Sequence, residues 1–205
     1  MINNRLEIGV RVRLPTKNGY FNIIPFLEKE NGLEHIALIK GNFVFSDTVL
    51  TRIHSACATG DLFGSLRCDC GEQLQKALRM IEQEGKGLIL YLQQEGRGIG
   101  LMNKIRAYQL QDEGLDTVDA NVCLGFAPDE RNYTIAAEML KKLGVNQVRL
   151  MTNNPDKING LESANIKVIE RIPIEIQTNK YNFNYLHTKQ TRMNHILDSI
   201  DAVEK

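Results

Sequence analysis

Apolar and β-branched residues fill positions 10–14, 20–25, 34–39 and 43–50, separated by Gly, Asn and Pro turn signals, so the first part of the chain predicts strands. Then the period changes. Leu74, Ala77, Leu78 and Ile81 fall at helical spacing, and Gly85 stops the run. Residues 88–92 form a short apolar run of buried-strand type. Leu101, Ile105 and Tyr108 restart the helical period, which Gly114 ends, and Ile135, Met139, Leu140 and Leu143 make a further helix closed by Gly144. Residues 148–151 read as a strand, 157–164 as a short helix and 166–169 as a strand. Leu186, Met193, Ile196, Leu197 and Ile200 give 181–205 the pattern of an amphipathic helix suited to cover the domain or a partner subunit.

Strands alternating with helices predict an α/β fold, a mixed and largely parallel sheet flanked by helices with a β-rich N-terminal part. At 205 residues the chain fits a single domain over 1–205. Sites in such sheets gather in the loops beyond the strand C-termini, here 93–100, 121–132 and 152–156. Lys and Arg total 25 and so do Asp and Glu, a balance that gives no support to a general nucleic-acid or membrane-surface binder. The N-terminus lacks the apolar stretch of a signal peptide, and the longest apolar runs are too short to span a bilayer. The expected location is cytoplasmic, where thiols stay reduced, so the four cysteines are free thiols, metal ligands or nucleophiles before they are disulfides.

Cys57, Cys68 and Cys70 form a C-x10-C-x-C cluster. Thiolates are soft ligands that suit zinc. Cys68 and Cys70 converge on one ion if the backbone between them is extended, and Gly71 lets the chain turn into the following helix, whose N-terminus favours thiolates. Three inert buried cysteines, a structural zinc closed by His54 or Cys123, and a catalytic zinc with an open position all remain compatible with this spacing. Cys123, within Val122-Cys123-Leu124, reads as a small core residue. Gln93-Gln94-Glu95-Gly96-Arg97-Gly98-Ile99-Gly100 follows a strand and opens a helix, where backbone amides meet an anion. Its glycine spacing is neither the dinucleotide fingerprint nor a Walker A loop, and Arg97 within it points to an anionic ligand. Arg52, Lys104, Arg106 and Lys157 are further candidate cations. Asp129-Glu130-Arg131 before a helix and Thr152-Asn153-Asn154-Pro155 after a strand are, taken singly, a capping acid and a turn.

Taken together these segments resemble a known family. His54-Ser55-x-Cys57, Ser65-Leu66-Arg67-Cys68-Asp69-Cys70-Gly71, Gln94-Glu95-Gly96-Arg97-Gly98-Ile99-Gly100-Leu101 and Asn103-Lys104-Ile105-Arg106-Ala107-Tyr108 closely resemble GTP cyclohydrolase II. The match continues through Asp116-Thr117-Val118, Leu124-Gly125-Phe126, Asp129-x-Arg131, Thr152-Asn153-Asn154-Pro155-x-Lys157 and Tyr185-Leu186-x-Thr188-Lys189. The chain is expected to be the cyclohydrolase module alone, too short for the dihydroxybutanone phosphate synthase often fused to it.

The resemblance implies hydrolysis of GTP to 2,5-diamino-6-ribosylamino-4(3H)-pyrimidinone 5′-phosphate, formate and pyrophosphate, the first committed step of riboflavin synthesis. It implies that Cys57, Cys68 and Cys70 bind one zinc, which activates water for attack at C8. It makes Asp129 the proton acceptor, Arg131 the residue acting at the α-phosphate, as nucleophile or as charge stabiliser, and Tyr108 an aid to ring opening. Arg52, Ile53, His54, Ser55, Ala56, Gln73, Glu95, Gly96, Arg97, Thr117, Thr152 and Lys157 map to substrate contacts. Magnesium is expected beside the phosphates, and the resemblance implies a homodimer. Two positions depart from the family pattern: Ala56 and Asn132 stand where acidic residues are usual. A divergent sibling that processes GTP incompletely or takes a related nucleotide, and a nucleotide-binding module with a structural zinc, are the competing readings.

Overall fold

Strand β6 (Gly87–Leu92) carries the unbroken apolar run Leu88-Ile89-Leu90 because both of its faces are covered. Successive side chains of a strand point to opposite faces. Leu88, Leu90 and Leu92 accordingly join one core cluster, and Ile89 the other. The computed structural model describes residues 5–44, 47–198 and 200. Around β6 lie β1 (Leu6–Ile8), β2 (Val12–Thr16), β3 (Gly19–Glu28), β4 (Leu33–Lys40), β5 (Thr48–Ser55), β7 (Gln147–Met151) and β8 (Lys167–Ile172). They make one sheet in the order β1-β3-β4-β6-β5-β7-β8, with β2 beside β3.

The sheet is mixed, and its parallel part is confined to the C-terminal half. β5 pairs in parallel with β6 and β7, and β7 with β8, while β1 to β4 and the β4–β6 junction are antiparallel. The larger core packs α5 (Thr134–Lys142) and α6 (Pro155–Ser163) on one face through Ile135, Met139, Leu140 and Leu161. The other face carries α2 (Cys70–Glu84), whose Ala77, Leu78 and Ile81 meet Phe21, Leu50, Ile89 and Met151. Gly85 ends α2 with φ 74, the left-handed cap that glycine adopts without a Cβ penalty.

The pattern of apolar positions missed four features. The run at 43–50 becomes a strand only from Thr48, where Thr48 pairs with Gln147, and it continues to Ser55 because β6 and β7 flank it. Phe43 packs on the core from outside any strand, and positions 45 and 46 lie outside the described residues. β1 is three residues long, too short to show a period. Part of 121–132, read as loop, belongs to α4 (Thr117–Cys123), which Asp116 caps by accepting from the Val118 and Asp119 amides at 2.8 and 2.9 Å. The tail helix α7 spans only Phe183–Arg192. Asn194 takes φ 52, a left-handed turn that asparagine tolerates, and the chain leaves the helix there, with the Ile196 amide bonded to Asn153 O at 2.8 Å. Position 199 and positions 201–205 of that expectation lie outside the described residues. Among the described residues no helix is long and apolar enough to cross a membrane.

Candidate functional site

β5 and β6 run in parallel to a shared C-terminal end, where the Ala56 amide still donates to Leu92 O at 2.8 Å. Cys57 follows at once and opens α1 (Ala58–Asp61). Cys68 precedes α2, and Cys70 is its first residue. The three Sγ atoms lie within 4.8 Å of one another, and Cys57 and Cys68 are 3.6 Å apart. Tetrahedral zinc with bonds of ~2.3 Å sets its sulfurs about 3.8 Å apart, so the donor set fits one soft dication. The backbone route differs from the expected one. Asp69 has φ −99 and ψ 5, which is not extended, and Cys70 converges from the first turn of the helix.

Two glycines make this approach possible. A Cβ on Gly71 would fall 2.3 Å from Gly60 O, and one on Gly60 would fall 2.9 Å from Cys68 Sγ. Gly71 thus serves contact between α1 and α2 from inside a helix, not a turn. Among the described residues the metal-competent group has these three members. His54 lies outside it. Its Nε2 is 3.1 Å from both Asp61 oxygens, its ring stacks on Tyr91 at 5.4 Å, and Asp61 also accepts from Tyr91 Oη at 2.9 Å and the Cys57 amide at 3.0 Å. Cys123 is exposed at the end of α4 and is not the core residue its apolar neighbours suggested, because Val122 beside it also faces outward.

Without a cation the thiols cannot all ionise. Hydrogen bonds from Cys68 and Cys70 draw the Cys57 thiol far down, and Lys104 adds its charge at 3.2 Å. The same contact with Cys57 pushes Cys68 up to about 11 and raises Cys70 as well. A bound dication removes that conflict, since it favours thiolate at every ligand. Lys104 Nζ also donates to Thr59 Oγ1 at 2.9 Å and Glu95 Oε1 at 2.8 Å, and Glu95 Oε2 accepts from the Ala58 amide at 2.6 Å. Burial works against the Lys104 charge, but Glu95 and Cys57 outweigh it and raise the ammonium pKa. Tyr108 Oη sits 3.4 Å from Thr59 Oγ1, with its pKa raised by burial.

Two amides of the glycine loop, expected to face an anion, bond within the loop, and its Arg97 side chain points into the cavities. Gly96 N is bonded to Glu95 Oε1 at 2.9 Å and Gly98 N to Gln94 O at 3.3 Å. Arg97 takes φ 61, uncommon for a residue with a Cβ, and among the described residues its buried Nη1 and Nη2 have no hydrogen-bond partner. It meets a set of buried cations. Arg52 donates to Met151 O at 2.9 Å and to Gln73 Oε1 at 2.5 Å; Lys157 donates to Ile53 O at 2.8 Å; Lys189 donates to Asp69 Oδ1 at 2.8 Å. Burial lowers the pKa of Arg52, and burial with neighbouring cations lowers that of Lys157 strongly. Arg131 is ion-paired with Asp129, Nε to Oδ1 at 2.8 Å. Burial opposes both charges, yet Tyr133 and Asp129 raise the Arg131 pKa on balance, and Arg131 holds Asp129 below the usual carboxylate range.

These groups line two adjoining cavities of about 600 and 650 Å³, open solvent included, which share Ser55, Cys70, Arg97, Arg131 and Tyr185 as a common wall. The first holds Arg52, His54, Gln73, Thr152 and Lys157; the second holds Ala56, Cys57, Cys68, Glu95, Gly96, Tyr108 and Thr117. Two expected residues stay out. The Ile53 side chain is fully buried in the core, so only its carbonyl reaches the region, through Lys157. Asp129 lines neither cavity and is paired with Arg131, which lines both. Arg106 is exposed and bonded to Asn103. Asn132 also lies outside both cavities: its Oδ1 accepts from Thr134 N at 2.9 Å and Oγ1 at 2.7 Å, which starts α5. Reasoning on single residues passed over Asp69, Tyr185, Lys189 and His195. The first sits between two of the cysteines, a visible signal; the last has none.

A mixed α/β sheet with a thiol triad beside a cation-lined cavity is the architecture of an enzyme domain. The family model described as GTP cyclohydrolase II matches residues 7–173, and the chain belongs to that family, a family of hydrolases. It is 59% identical over 192 residues to the riboflavin biosynthesis protein RibBA of Phocaeicola vulgatus, covering 94% of this chain and 48% of that protein. Over 195 residues it is 58% identical to RibBA of Parabacteroides distasonis, covering 95% and 48%. The chain thus spans about half the length of the curated relatives it matches. A solved structure of RibBX, a two-domain 3,4-dihydroxy-2-butanone 4-phosphate synthase from A. baumannii, aligns over 83% of this chain and 41% of its own, with a TM-score of 0.47 and 18% identity. That likeness is too distant to argue from.

Proposed function

We propose that this domain hydrolyses GTP to 2,5-diamino-6-ribosylamino-4(3H)-pyrimidinone 5′-phosphate, formate and pyrophosphate, and so opens riboflavin synthesis, the process named for its relatives. One observation carries the reading: the thiol triad and the cationic cavity share a wall, so one nucleotide reaches both. Cys57, Cys68 and Cys70 would hold zinc, which when bound supplies Lewis acidity and an activated water at the purine C8. The base lies in the cavity beside the triad. There Tyr108, oriented by Thr59, donates a proton as the imidazole ring opens. Glu95 and Lys104 fix the loops on either side of Cys57.

The triphosphate extends among Arg52, Arg97 and Lys157. Arg131 stays a full guanidinium beside Asp129. An uncharged guanidine nitrogen is scarce there, so Arg131 stabilises charge at the α-phosphate as the pyrophosphate leaves. Asp129, held ionised and bonded to Arg131 through both oxygens, orients that guanidinium; the role of proton acceptor expected of it does not suit a carboxylate outside both cavities. Among the described residues Asp69 is the one carboxylate lining the cationic cavity, and Lys189 occupies it. Magnesium therefore enters with the phosphates instead of resting on protein ligands. The working protein is proposed to be a cytoplasmic homodimer.

A structural-zinc module is the competing reading. It needs a fourth protein ligand, and His54, the candidate from the sequence, falls outside the metal-competent group of Cys57, Cys68 and Cys70 found among the described residues. The divergent sibling loses one of its two supports, because Asn132 makes a local turn onto Thr134 outside both cavities. Metal analysis and GTP turnover of Cys68→Ser test the proposal. Zinc and turnover are expected to vanish together; zinc retained with normal turnover would remove the triad from the reaction.

A further inference from the structure

Beyond α7 the chain turns at Asn194 and lies across the cationic cavity. The Ile196 amide donates to Asn153 O at 2.8 Å, the His195 amide to Lys189 O at 3.0 Å, and Gln190 Nε2 to Leu197 O at 2.9 Å. This strap is therefore tied both to α7 and to the Thr152-Asn153-Asn154 loop of the cavity wall. His195 and Leu197 line the cavity from the strap, and Lys189 lines it from α7. All of them lie beyond position 173, where the family match ends.

His195 Nε2 is buried and has no hydrogen-bond partner among the described residues. A buried polar atom without a partner costs about 1–3 kcal/mol unless a ligand or water satisfies it. Its surroundings select the ligand. Lys189, Arg131, Lys157 and Arg97 all act on the ring, which together with burial holds the imidazole neutral, with a pKa of about 2. Among the described residues, five cations, Arg52, Arg97, Arg131, Lys157 and Lys189, line this cavity against one carboxylate, Asp69. A neutral imidazole with its proton on Nε2 adds a donor for a phosphate oxygen without adding another charge to that crowd. It lies on the cavity that holds Lys157 and Thr152, the one that does not include Cys57 and Cys68. The outer phosphates are thus the part of a nucleotide it can reach.

We infer that His195, carried by the C-terminal strap, is a substrate-binding residue that donates to the outer phosphates and helps this site prefer a nucleoside triphosphate over a monophosphate. The inference rests on the placement of GTP given above, and it is tested by binding, so that a failure of turnover leaves it measurable. The zinc-loaded wild type, His195→Ala and His195→Gln are titrated calorimetrically with inorganic triphosphate and, separately, with GMP. Zinc content and melting temperature report whether each variant folds. His195→Ala is expected to bind triphosphate about tenfold more weakly, ~1.4 kcal/mol, with GMP affinity unchanged. His195→Gln, which keeps a side-chain donor, is expected to recover part of the loss. Equal weakening of both ligands, or no weakening of triphosphate, would overturn the assignment. If GTP is not turned over by the wild type but the triphosphate result holds, the reaction assigned above fails and the phosphate contact stands.

Discussion

Gly71→Ala tests the packing that brings the thiols together. The new Cβ would sit 2.3 Å from Gly60 O and 2.9 Å from Gly60 C, where ordinary contact starts at 3.4 Å. Both neighbours are backbone, so no side chain can swing away. Helices α1 and α2 have to part by roughly 1 Å. Cys57 stands at the start of α1 and Cys70 in the first turn of α2, so the same motion opens the triad. Overpacking of this kind costs about 1–3 kcal/mol, and alanine in place of a helical glycine returns up to ~1 kcal/mol. The net cost is about 0–3 kcal/mol, so at roughly 2–4 °C per kcal/mol for a chain of this size Tm should fall by up to ~12 °C, and zinc should bind more weakly. Gly125→Ala is the control. Gly125 has φ 84 and open space around it, so the change brings backbone strain alone and leaves metal affinity intact. Thermal melts and competition with a chromophoric zinc chelator read both quantities. Wild-type Tm together with wild-type zinc affinity in Gly71→Ala would refute this account of the triad.

Three further outcomes follow from the site and the core. Tyr108→Phe should impair formate release more than pyrophosphate release, measured in one reaction mixture; equal loss would give the hydroxyl a general binding role. Arg131→Ala should lower pyrophosphate release by about 10²–10³, with little rescue by Arg131→Lys, which lacks the planar fork that pairs with Asp129; release at the wild-type rate would remove Arg131 from the chemistry. His35 is fully buried and its pKa is lowered, mainly by burial, against the pull of Glu28 at 3.2 Å. The unfolded chain then binds the proton more readily, so this stability is full above about pH 6.5 and is lost as pH falls toward the lower folded value. His54 shifts in the same direction. Urea melts at pH 7.5 and 5.5 should show the loss, and His35→Gln should flatten part of it; an unchanged pH slope in that variant would refute the His35 contribution.

What the sequence disclosed followed the strength of its local signals. α2, α5 and β6 were legible because each carries a long apolar face and the two helices end on glycine. β1 and α4 were not, since three residues show no period and Thr117–Cys123 is held by the Asp116 cap and not by an apolar stripe. The tail misled because Met193, Leu197 and Ile200 keep a helical spacing that one left-handed residue, Asn194, breaks. Ligand chemistry showed in the spacing of Cys57, Cys68 and Cys70. The cation cluster did not, because Arg52, Arg97, Arg131, Lys157 and Lys189 come from five separate segments that only the sheet topology assembles. Backbone contacts were equally hidden, as with Gly60 against Gly71 and with the glycine-loop amides that bond within their own loop.

Incubation of the purified, zinc-loaded protein with GTP and magnesium, with every product identified, tests the central claim most directly. The account predicts formate, pyrophosphate and the diaminopyrimidinone ribosyl 5′-phosphate in equal amounts. Pyrophosphate without formate, or bound GTP recovered intact, would contradict it.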